Sequence, residues 1–119
     1  MSKKILVVDD EPLIRRALLK LLGGKSHILL EAKDGAEGYQ LWKRENPDLV
    51  ILDILMPFKT GPQLLSELMP EFPNTKVILM SAYSGDFDLS TAQRMGANYF
   101  VAKPFEDLKS LVKIIDELL

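Results

Sequence analysis

Apolar runs of four residues recur along this chain, and each ends in a polar residue. Ile5-Leu6-Val7-Val8 runs into Asp9-Asp10, and Leu49-Val50-Ile51-Leu52 runs into Asp53. Val77-Ile78-Leu79-Met80 runs into Ser81, and Tyr99-Phe100-Val101-Ala102 runs into Lys103-Pro104. Short apolar runs bounded by polar or turn residues predict strands buried on both faces of a parallel sheet. Ile28-Leu29-Leu30-Glu31-Ala32 is a weaker fifth strand.

Between the strands the apolar spacing becomes helical. Pro12 suits a first helical turn, and Ile14, Leu18, Leu21 and Leu22 form a stripe that Gly23-Gly24 stops. Asp34-Gly35 turns into a helix from about Ala36 to Glu45, with Tyr39 and Trp42 on its core face. Gly38 inside it costs roughly 0.5–1 kcal/mol against Ala, which points to close packing on the sheet. Asn46-Pro47 ends that helix. The loop Met56–Gly61 leads to a helix near Pro62–Met69, closed by Pro70. Ser84-Gly85-Asp86 opens a short polar helix, Phe87 to Met95, with Gly96 as its C-cap. A last helix spans Glu106–Leu119, with Leu108, Leu111, Val112 and Ile115 facing inward.

Strands and helices alternate, so the fold class is α/β. Right-handed crossovers and small size favour a flavodoxin-like doubly wound (βα)5 sheet of strand order 2-1-3-4-5. Ligands bind at the carboxyl ends of strands in such sheets. Asp9 and Asp10 would then face Asp53 across the switch point, with Ser81 and Lys103 arriving from the other side.

Composition narrows the partners. The 119 residues predict one domain, 1–119, with a single core. A net charge of -2 argues against a mainly electrostatic nucleic-acid binder. The absence of cysteine excludes disulfides, thiolate metal sites and a Cys nucleophile. No apolar stretch of ~18 residues and no charged-then-apolar leader is visible, so a cytoplasmic domain without membrane contact is expected.

The ordered motifs Ile5-Leu6-Val7-Val8-Asp9-Asp10-Glu11, Leu52-Asp53-Ile54-Leu55-Met56-Pro57, Ser81-Ala82-Tyr83 and Lys103-Pro104-Phe105 resemble the receiver domain of bacterial two-component response regulators. Asp34-Gly35 and Gly96-Ala97 match as well, and the resemblance covers the whole chain. It implies transfer of a phosphoryl group from a partner kinase's phosphohistidine to Asp53. It also implies an aromatic switch at Phe100, three residues before Lys103. Lacking a tyrosine hydroxyl, Phe100 should prefer its buried state, which makes the switch less two-state.

The chemistry has its own logic. A carboxylate attacking phosphorus meets repulsion from neighbouring acids and from phosphoryl oxygens. A divalent cation relieves both, and Mg²⁺ suits an all-oxygen site. Asp10 and Asp53 would be direct ligands, Asp9 would act through a water, and Leu55 would lend its backbone carbonyl. Lys103 would offer a positive charge and Ser81 a hydrogen bond to the phosphoryl oxygens. Phosphoryl transfer is mostly positioning and electrostatics, so no further catalytic group is required. Leu55 and Tyr83 frame the mouth of the site. Neither can orient a hydrolytic water, so a long-lived phosphorylated form is expected.

Duller alternatives stand beside each residue. Asp9-Asp10 would serve as a turn and capping pair, Asp53 as a loop cap, Ser81 as a turn residue and Lys103 as a surface lysine. Pro104 would either end the strand or form the cis Lys-Pro bond that the resemblance implies. Lys3-Lys4 and Arg15-Arg16 read as solvated basic spots, His27 as exposed, and Glu11 as an enhancer of the local field. A haloacid-dehalogenase-type phosphatase needs a second Asp where Leu55 stands. A flavodoxin-like electron carrier needs a Ser/Thr-rich phosphate loop where Asp9-Asp10-Glu11 stands. Expected partners are a sensor histidine kinase or histidine phosphotransfer protein and a downstream protein target, the chain itself being a monomer or weak homodimer. A complete product would act by binding a protein, whereas a piece would come from a hybrid kinase or transcription factor.

Overall fold

A computed structural model of the chain describes residues 2–24, 27–81, 88–102 and 108–119, the side chains of Leu108 and Lys109 excepted. Five strands, β1 (Lys4–Val8), β2 (Ile28–Ala32), β3 (Leu49–Asp53), β4 (Lys76–Ser81) and β5 (Tyr99–Ala102), alternate with five helices. These are α1 (Pro12–Leu22), α2 (Gly35–Glu45), α3 (Gly61–Leu68), α4 (Leu89–Arg94) and α5 (Leu108–Leu118). The strands form one parallel sheet in the order β2-β1-β3-β4-β5, as the alternation predicts.

Period-two side-chain alternation divides the core into two layers. Leu6, Val8, Val50, Leu52, Val77 and Leu79 pack with Trp42 of α2, Leu64, Leu65 and Leu68 of α3, and Ala92 of α4. Ile5, Val7, Leu49, Ile51, Ile78 and Met80 pack with Leu18 and Leu22 of α1 and with Leu111 and Ile115 of α5. Each fully buried Leu or Ile contributes about 2 kcal/mol over exposure, so a slipped register would forfeit both layers at once. The weaker signal of β2 has a simple cause: it is an edge strand with Ile28 and Glu31 exposed.

Local chemistry sets the helix ends. Asp34 caps α2 by accepting from the Glu37 N–H at 2.9 Å, and Asn46 closes it in the left-handed region at φ 45°. Thr60 and Gln63 form a reciprocal capping box, so α3 starts at Gly61 and not at Pro62. A Cβ on Gly38 would lie 2.8 Å from Val8 Cγ1, the close approach to the sheet that its place in α2 predicts. The short fourth helix differs from expectation. Asp88 caps it through the Thr91 N–H at 2.8 Å, so it begins at Leu89, two residues late. Met95 is its C-cap, and Gly96 follows at φ 104°. Of the expected inward face of α5, Leu111 and Ile115 are buried and Val112 is half-buried. The expected opening Ser84-Gly85-Asp86-Phe87, together with Tyr83, Lys103, Pro104, Phe105, Glu106 and the Leu108 side chain, lies outside the described residues.

Candidate functional site

A parallel sheet delivers all its carboxyl ends to one edge. Val8 pairs with Leu52, Asp53 with Met80, and Ser81 with Ala102, so Asp9, Asp53 and Ser81 end three adjacent strands. Asp9 is fully buried, while Asp53 is 4% and Ser81 3% exposed. Asp10 and Glu11 are exposed. One carboxylate oxygen from each of Asp9, Asp10, Glu11 and Asp53 lies within 4.8 Å of the others. Four such oxygens, half of them on buried residues, form a donor set that fits a hard divalent cation.

Backbone contacts hold these acids in place. The Asp9 N–H donates to the Ala32 carbonyl at 3.1 Å, and Asp9 Oδ1 accepts from the Glu11 N–H at 2.8 Å. That second bond makes the segment a side-chain-closed turn. The N-cap of α1 is Glu11, without a side-chain capping bond, so the capping role considered for Asp9-Asp10 falls away and the turn role stays.

On the β3 side, the Ile54 N–H donates to the Met80 carbonyl at 3.0 Å and the Gly61 N–H to the Ile54 carbonyl at 2.9 Å. A Cβ on Gly61 would lie 2.5 Å from the Asp53 carbonyl oxygen, so only glycine lets α3 start this close to the acid. The loop between them carries Leu55, 62% exposed, and Phe58, 81% exposed at φ 71°. Lys59 anchors the loop to α3 through Glu67 at 2.7 and 2.9 Å. Phe100, on β5, is half-buried against the layer that holds Ala92 of α4.

Arg15, His27 and Lys4 were misread from the sequence, whereas Glu11 lies where its charge adds to the field of the acid pair, within the carboxylate cluster itself. Arg15 is no solvated spot: its side chain is 14% exposed and bonds the Asp9 carbonyl and Glu31. The signal was present, because Arg15 lies three residues before Leu18 and seven before Leu22, on the inward stripe. His27 is half-buried, and its Nδ1 has no hydrogen-bond partner among the described residues. Lys4, paired with Glu45 at 3.4 Å, is likewise more than a solvated charge.

Known proteins resemble this chain in sequence and in fold. The response regulator receiver domain family matches residues 5–116. Response regulator GtcR of Aneurinibacillus migulanus is 37% identical over 118 residues, which cover 99% of this chain and 48% of GtcR. Protein CcdB of Bacillus subtilis strain 168 is 37% identical over 109 residues, covering 91% of each. The response regulator TrrA of Thermotoga maritima, solved in complex with Mg²⁺-BeF, superposes with a TM-score of 0.86 at 36% identity over 98% of this chain and 99% of TrrA. The chain thus spans about half the length of GtcR and nearly all of CcdB and TrrA. No helix among the described residues is long and apolar enough to cross a membrane. With the match running from the first strand to the last helix, the chain belongs to the response regulator receiver family, the signalling domain of two-component systems.

Proposed function

We propose that Asp53 accepts a phosphoryl group from the phosphohistidine of a sensor kinase or phosphotransfer protein in a Mg²⁺-dependent reaction. The observation that carries this reading is the cluster of four carboxylates around the end of β3, with Asp53 at its buried side. In the transfer, an Asp53 carboxylate oxygen bonds to phosphorus as the bond to the donor's imidazole nitrogen breaks, the electron pair returning to that nitrogen. Asp10, Asp53 and the Leu55 carbonyl would hold the metal directly and Asp9 through a water, and Glu11 adds negative field. Mg²⁺, when bound, neutralises charge on the transferring group. Ser81, at the adjacent strand end, donates to a phosphoryl oxygen. Lys103, which follows β5 in the sequence, supplies the fixed positive charge. TrrA's capacity to hold Mg²⁺ with BeF in the same fold supports the reading.

The phosphorylated state is read by a downstream protein through α4, β5 and α5, with Phe100 as the switch, in a cytoplasmic setting. Asp53→Asn should abolish hydroxylamine-sensitive labelling by acetyl phosphate and Mg²⁺. Mapping the phosphoryl group to another carboxylate by mass spectrometry would remove the central claim. Release of free phosphate with turnover would instead favour a phosphatase.

The lifetime of the phosphorylated form is set at the mouth. Leu55 is exposed there and offers no group to orient water, and Tyr83, two residues after Ser81 in the sequence, likewise carries neither a carboxylate nor an amide. Leu55→Asn with Tyr83→Glu should speed dephosphorylation by more than about three-fold, because a positioned water lowers the entropic part of the barrier. A decay already fast in the unmodified protein, and unchanged by the pair, would show that the mouth is open.

A further inference from the structure

Arg15 takes no part in the chemistry just described, yet its guanidinium ends against the acid-bearing turn. Nη1 donates to the Asp9 carbonyl oxygen at 2.6 Å, and Nε donates to Glu31 Oε1 at 2.9 Å. The side chain is 14% exposed, whereas its partner Glu31 is 51% exposed. Drawing a guanidinium out of water is costly unless it is partnered, and here its two bonds run to two different strand segments.

The 2.6 Å bond lands on the peptide group that joins Asp9 to Asp10. That group is planar, so fixing its oxygen also fixes the plane from which the Asp10 Cα departs. Asp10 is exposed, so burial does not hold its side chain. Its carboxylate nevertheless sits within 4.8 Å of the other three. We infer that Arg15 is a positioning residue: it orients the Asp9–Asp10 peptide and so presents the Asp10 carboxylate to a divalent cation, while Glu31 anchors the guanidinium to β2. The inference rests on the Mg²⁺ reading under Proposed function.

Charge alone argues the opposite way. A guanidinium close to a cation site repels the cation, so a neutral replacement would tighten metal binding if Coulomb repulsion were the whole effect. Positioning predicts weaker binding. The sign of the change separates the two.

The test is calorimetric titration of Mg²⁺ alone into the full chain, well below its melting temperature. Arg15→Met should weaken Mg²⁺ binding by about ten-fold, the usual size of effect for a group that orients a metal ligand. Arg15→Lys keeps the charge but cannot span both partners, so it should fall between. It also carries the test should Arg15→Met not fold. Glu31→Gln keeps a carbonyl oxygen that can accept from Nε, so the anchor survives and only the charge of a half-exposed pair is lost; affinity should stay within about two-fold of the unmodified protein. The Asp10 amide resonance should shift in both Arg15 variants before any metal is added. Native or tighter Mg²⁺ affinity in folded Arg15→Met or Arg15→Lys overturns the inference, even where the melting temperature falls, because Arg15 would then serve stability alone. Failure of the unmodified protein to bind Mg²⁺ overturns the underlying reading, and the inference with it.

Discussion

On the β1–β3 side of the carboxyl edge, Asp9 is bonded through its amide, its carbonyl and its carboxylate, and α3 begins against the Asp53 backbone. On the β4–β5 side, cover comes from α4, six residues long, with Leu89 and Met95 exposed. Its N-cap, Asp88, is exposed as well. β5 presents three half-buried residues and one exposed, against five buried in β3. Chemistry that depends on carboxylate spacing sits where the backbone has least freedom. The surface that the proposed readout requires to change shape is the one where, among the described residues, fewer groups are buried. The two sides share one sheet, so a charge added at Asp53 is felt across a single strand boundary.

The largest effect should come from breaking the rigid side. Gly61→Ala drives a methyl group to 2.5 Å from the Asp53 carbonyl oxygen, and backbone cannot rotate away as a side chain can. A loss of about 3 kcal/mol is expected in urea unfolding, with weakened phosphorylation in the folded remainder. Gly38→Ala is the internal comparison. Its Cβ meets the two methyl groups of Val8 at 2.8 and 3.2 Å, where a rotamer change gives partial relief. It should therefore cost less. Equal stabilities for Gly61→Ala and the unmodified protein would show that the β3–α3 loop yields, and the contrast between the two sides would collapse.

A second test sharpens the contrast through the β4–β5 side. Beryllofluoride with Mg²⁺ should move amide resonances mainly from Ser81 to Lys103, since about -2 of charge at Asp53 draws Ser81 inward and vacates space for Phe100. Phe100→Ala should shorten the reach of these shifts into α4 and leave those at Asp53 intact. Shifts confined to α1 and α2 would place the readout on the wrong side.

The same contrast explains what the sequence could disclose. β1, β3 and β4 are buried on both faces, so their apolar runs are unbroken and their ends are sharp. That is why Asp9, Asp53 and Ser81 were legible as strand-end residues. Gly38 was legible because an isolated glycine in an apolar-striped helix has few reasons to be there. Arg15 was misread because a charged residue looks solvated until its partners are known. The Asp9 carbonyl and Glu31 become neighbours only through the β1–β2 pairing. The start of α4 was misplaced because two acids, Asp86 and Asp88, can each cap a helix. Only the hydrogen bonds to Thr91 decide for the second.

That cap gives the smallest effect, and one confined to the β4–β5 side. The Thr91 amide, then its hydroxyl, and more weakly Arg94, hold the Asp88 carboxyl below the usual carboxylate value of 3.8. A carboxyl whose folded-state pKa is depressed adds stability above its unfolded value and loses it as pH falls through the folded one. Helix α4 should therefore fray at acid pH before the sheet does. Backbone chemical shifts of Leu89–Arg94, followed from about pH 6 down to about pH 2, should drift toward random-coil values, with those of β1 and β3 steady over the upper part of that range. Asp88→Asn keeps an oxygen that can accept from the Thr91 amide but carries no titrating charge. It should flatten the drift without unwinding the helix at neutral pH. An equal drift in Asp88→Asn would assign the acid sensitivity to another carboxylate. A drift of β1 and β3 in step with α4 would show that the two sides open together, and the division of labour between them would fail.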